Sequence, residues 1–398
     1  MTELDPKPHL EPDRRTEPRV QPHPLVGGNR FKLGVFSTNA DGGLAITTVP
    51  ERWRASWDDN LAVARLAEDA GFEFLLPIAR WKGFGGQTSV REWSFETFTW
   101  AAGLAAVTRR IALFMTVHVP LVHPVHAAKA LATVDHISKG RSGLNVVCGW
   151  NPAEFAMFGT MPDPRAYERA AEWITVLEQS YADDAPVDFA GAYYQLQGLI
   201  SRPASLQRPR PVTMNAAFGG PGRDFAARHC EYLFSTFSEL SDGAAHVADI
   251  RARAAGFGRD VGVYTVAHVV CRESQDEAEA YYHRYAVAEA DHPAVDDHMA
   301  RKKEFAGSHD ARAYALYRQR FAGGAGSYPL VGTPDRIAQD LVTIAAQGYA
   351  GAALTFVNYT DELPFFAARV LPLLREAGLR DANQQTAGPE EKGRGDAG

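Results

Sequence analysis

The chain has 398 residues, of which 45% are hydrophobic, and its 41 basic and 48 acidic residues give a net charge of -7. This length and apolar fraction suit one large globular domain or two small ones. The acidic balance and the lack of a basic patch argue against a nucleic-acid partner. No apolar run is long enough to span a membrane, and the first 30 residues lack the hydrophobic region of a signal peptide. Three widely spaced cysteines in apolar surroundings predict reduced thiols and a cytoplasmic location (Cys148, Cys230 and Cys271).

The two ends of the chain differ in composition from its centre. Residues 1–30 are rich in Pro, Asp, Glu and Arg, and residues 379–398 are similarly polar. Segments of this kind cannot bury enough apolar surface to fold, so both are predicted to be disordered tails. Residues 31–378 are therefore expected to form the folded domain.

Within that domain, short apolar strands alternate with amphipathic helices. Several strands are continuous Val, Ile, Leu and Phe runs, which is typical of strands buried on both faces of a parallel sheet. The predicted strands are Phe31–Ser37, Phe72–Ile78, Ile111–Val117, Ser142–Gly149, Pro211–Ala217, Tyr232–Phe237, Val261–Cys271 and Gly351–Val357. The predicted helices are Trp53–Ala70, Phe95–Thr108, His126–Ser138, Arg165–Tyr181, Gly222–His229, Ser241–Ala255, Asp276–Val287, Pro334–Gln347 and Leu363–Glu376.

Eight strands, each followed by a helix, predict a (β/α)₈ TIM barrel. A doubly wound open sheet is the alternative, but the first strand is not followed by the Gly-rich turn usual in that fold. The segments after the fourth and seventh strands are longer than a helical crossover needs, so both are predicted to be insertions. We interpret the second, from His292 to Tyr328, as a mobile lid.

Functional residues of such a barrel lie at the carboxyl ends of its strands. Thr116 and His118 end the third strand, and Asn145, Trp150 and Glu154 lie at the end of the fourth. An amide inside a buried strand is costly unless it is hydrogen-bonded. For Asn145, a bond to a ligand and a bond to neighbouring backbone are both open.

Two Gly-rich loops are further candidates. The loop from Ala79 to Gly86 contains Arg80 and could lie against a flat, anionic ligand. Gly219 and Gly220 open a helix that carries Arg223, an arrangement that can bind phosphate. On pattern alone, an ordinary turn is the favoured interpretation of this second loop.

The histidines suggest no metal site. His118, His123 and His126 are interrupted by two prolines and have no nearby carboxylate or thiolate, so packing or hydrogen bonding is expected. His268 lies inside the apolar seventh strand. It is either a satisfied core histidine or a donor that lines a pocket.

Three blocks carry a resemblance to a known family. They are AEDAGFEFLLPIARWKGFGG at 67–86, HPVHAAKALATVDHISKGRSGLNVVCGW at 123–150 and VGTPDRIAQDL at 331–341. The chain resembles the flavin-dependent monooxygenases of the bacterial luciferase-like superfamily over about residues 31–378. Within it, the chain is most similar to the group of alkanesulfonate, dimethyl sulfone and pyrimidine monooxygenases.

The resemblance implies a luciferase-like TIM barrel and reduced FMN supplied by a separate NAD(P)H-dependent flavin reductase. It implies flavin contacts at Ala79, Arg80, Asn145, Glu154 and Tyr167. It also implies an oxygen pocket at Leu76, Thr116 and Asn145, with Trp150 nearby.

Two positions depart from the relatives. A serine that helps to hold the phosphate in the pyrimidine enzyme is replaced here by Gly219, so backbone N–H groups would have to serve. The sulfonate enzyme has an arginine two residues before its strand-seven histidine. Here His268 is present but the arginine position is Val266, so a charged sulfonate loses a natural partner.

The expected function is therefore insertion of one oxygen atom from O₂ into a small, weakly charged substrate, such as a sulfone or a heterocyclic amide. A homodimer or homotetramer is expected. Two alternatives stay open: a deazaflavin-dependent hydride-transfer enzyme on the same barrel, and a non-catalytic flavin-binding protein. The second is disfavoured because all of the oxygen-pocket residues are present.

Overall fold

The computed structural model describes residue 20 and residues 22–182, 185–237, 239–306 and 320–381. Most of both predicted tails, and residues 307–319 of the predicted lid, lie outside the described residues. The strands are β1 Lys32–Phe36, β2 Phe74–Leu76, β3 Ala112–His118, β4 Ser142–Val147, β5 Val187–Ala190, β6 Gln195–Leu199, β7 Val212–Ala216, β8 Tyr232–Ser235, β9 Gly262–Cys271, β10 Tyr328–Gly332 and β11 Gly351–Thr355.

Eight of these strands close into a parallel barrel. Their order is β1-β2-β3-β4-β7-β8-β9-β11, and β11 pairs with β1 to complete the circle. The eight coincide with the eight strands predicted from the sequence. The predicted (β/α)₈ barrel is confirmed. The open sheet is excluded because β11 pairs with β1, so the ring of these eight strands has no break.

The helices lie between the strands. They are α1 Trp57–Asp69, α2 Thr97–Val107, α3 Pro124–Ser138, α4 Pro152–Met157, α5 Ala166–Ala182, α6 Gly220–His229, α7 Gly243–Ala255, α8 Gln275–His283, α9 His292–Ala306, α10 Pro334–Ala346, α11 Tyr359–Arg369 and α12 Leu371–Glu376. The single helix predicted over Leu363–Glu376 is two helices, α11 and α12, and Pro372 lies at the start of the second. Proline has no N–H group to continue the ladder of a preceding helix.

Three strands were missed in the sequence. β5 and β6 form an antiparallel hairpin in the first insertion, and β10 pairs with the carboxyl half of β9. The hairpin has many exposed residues, so it lacks the continuous apolar run that marked the others. β10 contains Pro329, which argues against a central strand, but proline is tolerated where a strand has a free edge.

Both predicted tails include residues, next to the domain, that pack against it. The rings of His23 and Phe114 make an edge-to-face contact with their centroids 6.3 Å apart. Leu25 packs in the luminal cluster, the apolar cluster inside the barrel. At the other end, the Arg380 guanidinium pairs with Glu73 at 3.1 Å. These contacts rest on a few residues within polar segments, so average composition hides them.

Candidate active site

The alternation of side chains along the strands decides which residues face the lumen. Met115 and Val117 of β3 lie in the cluster between strands and helices, as do Leu144 and Val146 of β4. Because neighbouring residues of a strand point to opposite faces, Thr116, His118 and Asn145 face the lumen. Leu76 belongs to the luminal cluster itself. The predicted oxygen-pocket residues are therefore brought together at the carboxyl ends of three adjacent strands.

Thr116 and Asn145 are opposite each other in the pairing of β3 with β4. The Thr116 hydroxyl donates to the Pro77 carbonyl oxygen at 2.6 Å and accepts from the Asn145 amide nitrogen at 3.2 Å. A hydroxyl has one proton to donate, so that proton is engaged by Pro77. The Asn145 Oδ1 atom is buried and has no partner among the residues that the structure describes. Neighbouring backbone thus does not satisfy the amide, which favours the ligand interpretation of Asn145.

Arg80 and Glu154 form a buried ion pair beside this pocket. The Arg80 Nη1 atom donates to Glu154 Oε1 at 3.0 Å, and their side chains are only 9% and 1% exposed. The same oxygen accepts the backbone N–H groups of Trp81 at 2.8 Å and Lys82 at 3.3 Å. Glu154 therefore fixes the loop after β2, in which Ala79 is also buried. Glu154 Oε2 and Arg80 Nε are buried and have no partner within the described ranges.

Aromatic rings from three segments line this loop. The Arg80 guanidinium lies over Phe84 at 5.3 Å and over Trp150 at 5.4 Å. The His298 ring of α9 stacks on Phe84 at 3.6 Å and on Trp150 at 5.3 Å, with interplanar angles of 3° and 7°. The sequence did not single out Phe84 or His298 as a pair because about two hundred residues separate them, so only the folded chain shows the contact.

The described part of the predicted lid is bonded to the same loop, because Asp297 of α9 accepts the backbone N–H of Gly85 at 3.0 Å. Asp291, which directly precedes α9, accepts the backbone N–H of Thr88 at 2.7 Å and that of Gln87 at 3.1 Å. Its hydrogen bonds lower the pKa of the Asp291 carboxyl against the opposing effect of burial. α9 and the loop after β2 are thus joined by charge-assisted bonds.

The first turn of α6 is open. Gly219 is the N-cap and gives no side-chain cap, and a methyl group placed on Gly219 or Gly220 would meet nothing within 4 Å. At Gly222, a methyl carbon would lie 2.5 Å from the Tyr167 hydroxyl oxygen. Tyr167 therefore lies directly over this turn, whose free N–H groups can receive an anion.

Arg223 lies in the first turns of α6 and pairs with a carboxylate of the neighbouring helix. Its Nη1 atom donates to Asp249 of α7 at 2.8 Å. Its Nε atom is buried and has no partner among the described residues. The ion pair engages part of the guanidinium, and the role of Arg223 in holding the phosphate stays a prediction.

His268 lies on the luminal face of β9, in the same row as Tyr264 and Val266. Its Nδ1 atom is 2.9 Å from the Ser327 hydroxyl, which donates its own proton to the Gly324 carbonyl at 2.6 Å. Nδ1 must therefore be the donor, and Nε2 carries no proton. Nε2 is buried and has no partner in the described part of the chain. Burial, aided by Arg320, lowers the pKa of His268 to about 3. The ring is a neutral acceptor.

Within the described ranges, no group of three or more His, Cys, Asp or Glu could hold a metal ion. His123 caps α3 by accepting the Val125 N–H at 3.3 Å. In the same described part of the chain, every helix is too short or too polar to cross a bilayer.

Residues 31–351 match the family model for luciferase-like monooxygenases. The chain therefore belongs to the luciferase-like monooxygenase family, as the sequence blocks predicted. It is 31% identical to pyrimidine monooxygenase RutA of Bradyrhizobium sp. BTAi1, over 87% of this chain and 98% of that protein. It is 29% identical to the FMNH₂-dependent dimethylsulfone monooxygenase of Pseudomonas putida, over 87% and 96% of the two chains. Its fold is similar to that of DmoA from Hyphomicrobium sulfonivorans, with a TM-score of 0.76, 21% identity and coverage of 89% and 90%.

Proposed function

We propose that this protein is a reduced-FMN-dependent monooxygenase that transfers one oxygen atom of O₂ to a small, neutral substrate, a sulfone or a heterocyclic amide. Reduced FMN would come from a separate NAD(P)H-dependent flavin reductase in the cytoplasm. The observation that carries the proposal is the unpartnered Asn145 Oδ1 atom, which faces the lumen beside Thr116 and Leu76.

The polar groups fit FMN at two places. The open first turn of α6, with Gly219, Gly220 and the Tyr167 hydroxyl, suits the phosphate. The strand ends, with Ala79, Arg80, Asn145 and Glu154, suit the polar edge of the ring system, because three buried atoms there have no partner among the described residues: the Asn145 amide oxygen, the Arg80 Nε atom and the Glu154 Oε2 atom. When bound, reduced FMN supplies the two electrons that activate O₂.

The residues of the chain bind and orient the cofactor and the substrate, and they exclude water from the site. Leu76 and Thr116 form the wall of the oxygen pocket, and the Asn145 amide keeps one N–H and its carbonyl oxygen free for bound groups. Dipoles of this kind act strongly in a dry site. Trp150, with the rings of Phe84 and His298, covers the side of the pocket that faces α9.

A neutral substrate follows from the charges around the lumen. The Arg80 guanidinium is paired with Glu154, the position two residues before His268 is the apolar Val266, and His268 itself is neutral. None of these three positions offers an unpaired cation to a sulfonate or carboxylate, and burying an anion without a partner is costly.

Anaerobic titration tests the cofactor, and oxygenation tests the reaction. We expect reduced FMN to bind more tightly than oxidised FMN and more tightly than a reduced deazaflavin. Adding O₂ with a panel of sulfones, sulfonates and cyclic amides should give product from neutral members of the panel. Preferred binding of the deazaflavin would favour the hydride-transfer alternative. Binding of reduced FMN without product from any panel member would count against the proposed substrate class.

A further inference from the structure

His118 ends the luminal row of β3, two residues beyond Thr116 on the same face. Two residues of a strand span roughly 6.6 Å, so the imidazole lies one step above the Thr116–Asn145 pair. In the pairing with β4 it is opposite Val147. The side chain is 5% exposed. It is therefore inside the lumen, next to the proposed oxygen pocket. The sequence placed it at a strand end but predicted only packing or hydrogen bonding for it.

The His118 ring has no hydrogen-bond partner among the described residues, and its Nδ1 atom is fully buried. Two other buried histidines are held by one ring nitrogen: His246 bonds to the Tyr349 hydroxyl at 2.9 Å, and His268 bonds to Ser327. Their Nε2 atoms also lack a partner in the described part of the chain, but His118 differs in that no ring nitrogen is held. A buried polar atom without a partner is destabilising. A bound ligand or reacting group is therefore the natural partner of His118.

Two charged groups act on the imidazole from neighbouring segments, Glu154 of α4 and Arg80 of the loop after β2. Burial is the largest effect and lowers the pKa of His118 to about 4, with Glu154 raising it and Arg80 lowering it. His118 is thus neutral at physiological pH. A neutral imidazole can accept a proton at one nitrogen and release it again without help from water.

We propose that His118 is a catalytic residue that carries a proton to the oxygen atom that leaves as water; this rests on the proposed function. Oxygenation consumes the substrate, O₂, and the two electrons and two protons of reduced FMN, and it yields the oxygenated product, water and oxidised FMN. His118 takes up one of those protons at its free nitrogen, and an N–H bond forms. It then gives the proton to the departing oxygen, the N–H bond breaks, and the imidazole returns to neutrality. No electrons pass through the residue.

The test compares His118→Gln and His118→Ala with a matched control, His246→Gln. His246 is similarly buried and burial likewise lowers its pKa to about 4, but its partner Tyr349 lies two residues before β11, at the opposite end of the barrel from the site. General acid–base catalysis is worth about 10²–10⁴-fold. We expect His118→Gln to lower kcat by about 10²-fold with little change in KM or in the Kd for reduced FMN. Added imidazole should restore part of the rate to His118→Ala.

A second readout does not depend on turnover. In ¹⁵N-histidine NMR spectra of the flavin-free protein, the His118 resonance is assigned as the one that is missing from His118→Gln. Its chemical shift should report a neutral ring down to about pH 4. The same resonance should shift when reduced FMN is added anaerobically.

The outcomes separate this inference from the proposed function. If wild type and His246→Gln yield no product from any substrate, the proposed function fails. If they do yield product and His118→Gln matches them in kcat, the proton-carrier role is wrong. Loss of activity in His118→Ala without imidazole rescue, combined with a His118 resonance that ignores reduced FMN, would assign the residue a structural role and overturn the inference.

Discussion

The buried ion pair between Arg80 and Glu154 allows a quantitative prediction. Arg80→Met removes the cation and strands a carboxylate that is 1% exposed. Stranding a buried charge costs about 3–5 kcal/mol of unfolding free energy. Glu154→Gln should cost less, about 1.5–3 kcal/mol, because an amide oxygen can still accept the Trp81 and Lys82 N–H groups while the charge-assisted component is lost.

The double variant decides between a true pair and two independent residues. Arg80→Met combined with Glu154→Gln leaves no unpaired charge in the site, so it should be more stable than Arg80→Met alone. The measurement is the urea midpoint of each variant, converted to free energy with the slope of its own transition. Both single variants should also bind reduced FMN more weakly than wild type.

A surface ion pair supplies the control. Arg369 pairs with Glu273 at 2.5 Å, with the two side chains 47% and 59% exposed. Solvent screens such a pair, so Arg369→Met should change stability by about 0–1 kcal/mol. If Arg80→Met loses no more stability than Arg369→Met, or if the double variant is as unstable as the sum of its single variants, the site is not shielded from water and our reasoning about its electrostatics is wrong.

Four further predictions concern the pocket, the first turn of α6 and the buried His23 side chain. Thr116→Val should lose about 1–3 kcal/mol of stability and release more hydrogen peroxide per product, because Pro77 and Asn145 lose their shared hydroxyl; Thr116→Ser should behave as wild type in both measurements. Gly222→Ala should lower the urea midpoint by the equivalent of about 1–3 kcal/mol, because the methyl meets Tyr167. Gly220→Ala should leave stability unchanged but weaken the binding of reduced FMN in the anaerobic titration, because the methyl group would occupy the open turn. Unchanged affinity would show that the phosphate does not bind at this turn. Burial lowers the pKa of His23 to about 4, so between pH 6.5 and 4 the unfolded chain binds a proton that the folded chain does not, and stability falls as the pH falls. His23→Gln should reduce this slope by up to about 1.4 kcal/mol per pH unit, measured in urea melts across that range.

The sequence predicted the barrel because each of its eight strands carries its own local signal. It also predicted the meeting of Thr116 with Asn145, because consecutive strands of such a barrel are neighbours and their carboxyl ends share one face. It could not predict that the Thr116 hydroxyl is engaged by Pro77, since that bond joins β3 to the end of β2 at 2.6 Å. The availability of a hydrogen-bonding group depends on contacts between segments distant in the chain.

The ion pair of Arg223 shows the same limit. The sequence did not predict it, because the direction of a long side chain depends on where the nearest carboxylate lies. Asp249 of α7 is 2.8 Å away and accepts its hydrogen bond. Nothing in the spacing of these two residues along the chain marks them as partners before the helices are packed side by side.

The buried polar atoms at the carboxyl ends of the strands carry the functional argument. Near the amino end of β4, the buried Asp135 carboxylate accepts bonds from the hydroxyls of Ser142 and Ser205 at 2.7 and 2.6 Å, and from further N–H groups. At the carboxyl ends, four buried polar atoms have no partner among the described residues: Asn145 Oδ1, His118 Nδ1, Glu154 Oε2 and His268 Nε2. His246 Nε2, at the other end of the barrel, also lacks a partner in the described part of the chain, so one such atom alone does not indicate a ligand. Each such atom costs about 1–3 kcal/mol, and folded domains have only about 5–15 kcal/mol to spare. We infer a ligand at the carboxyl ends because one bound molecule there could supply partners to several of these four atoms at once.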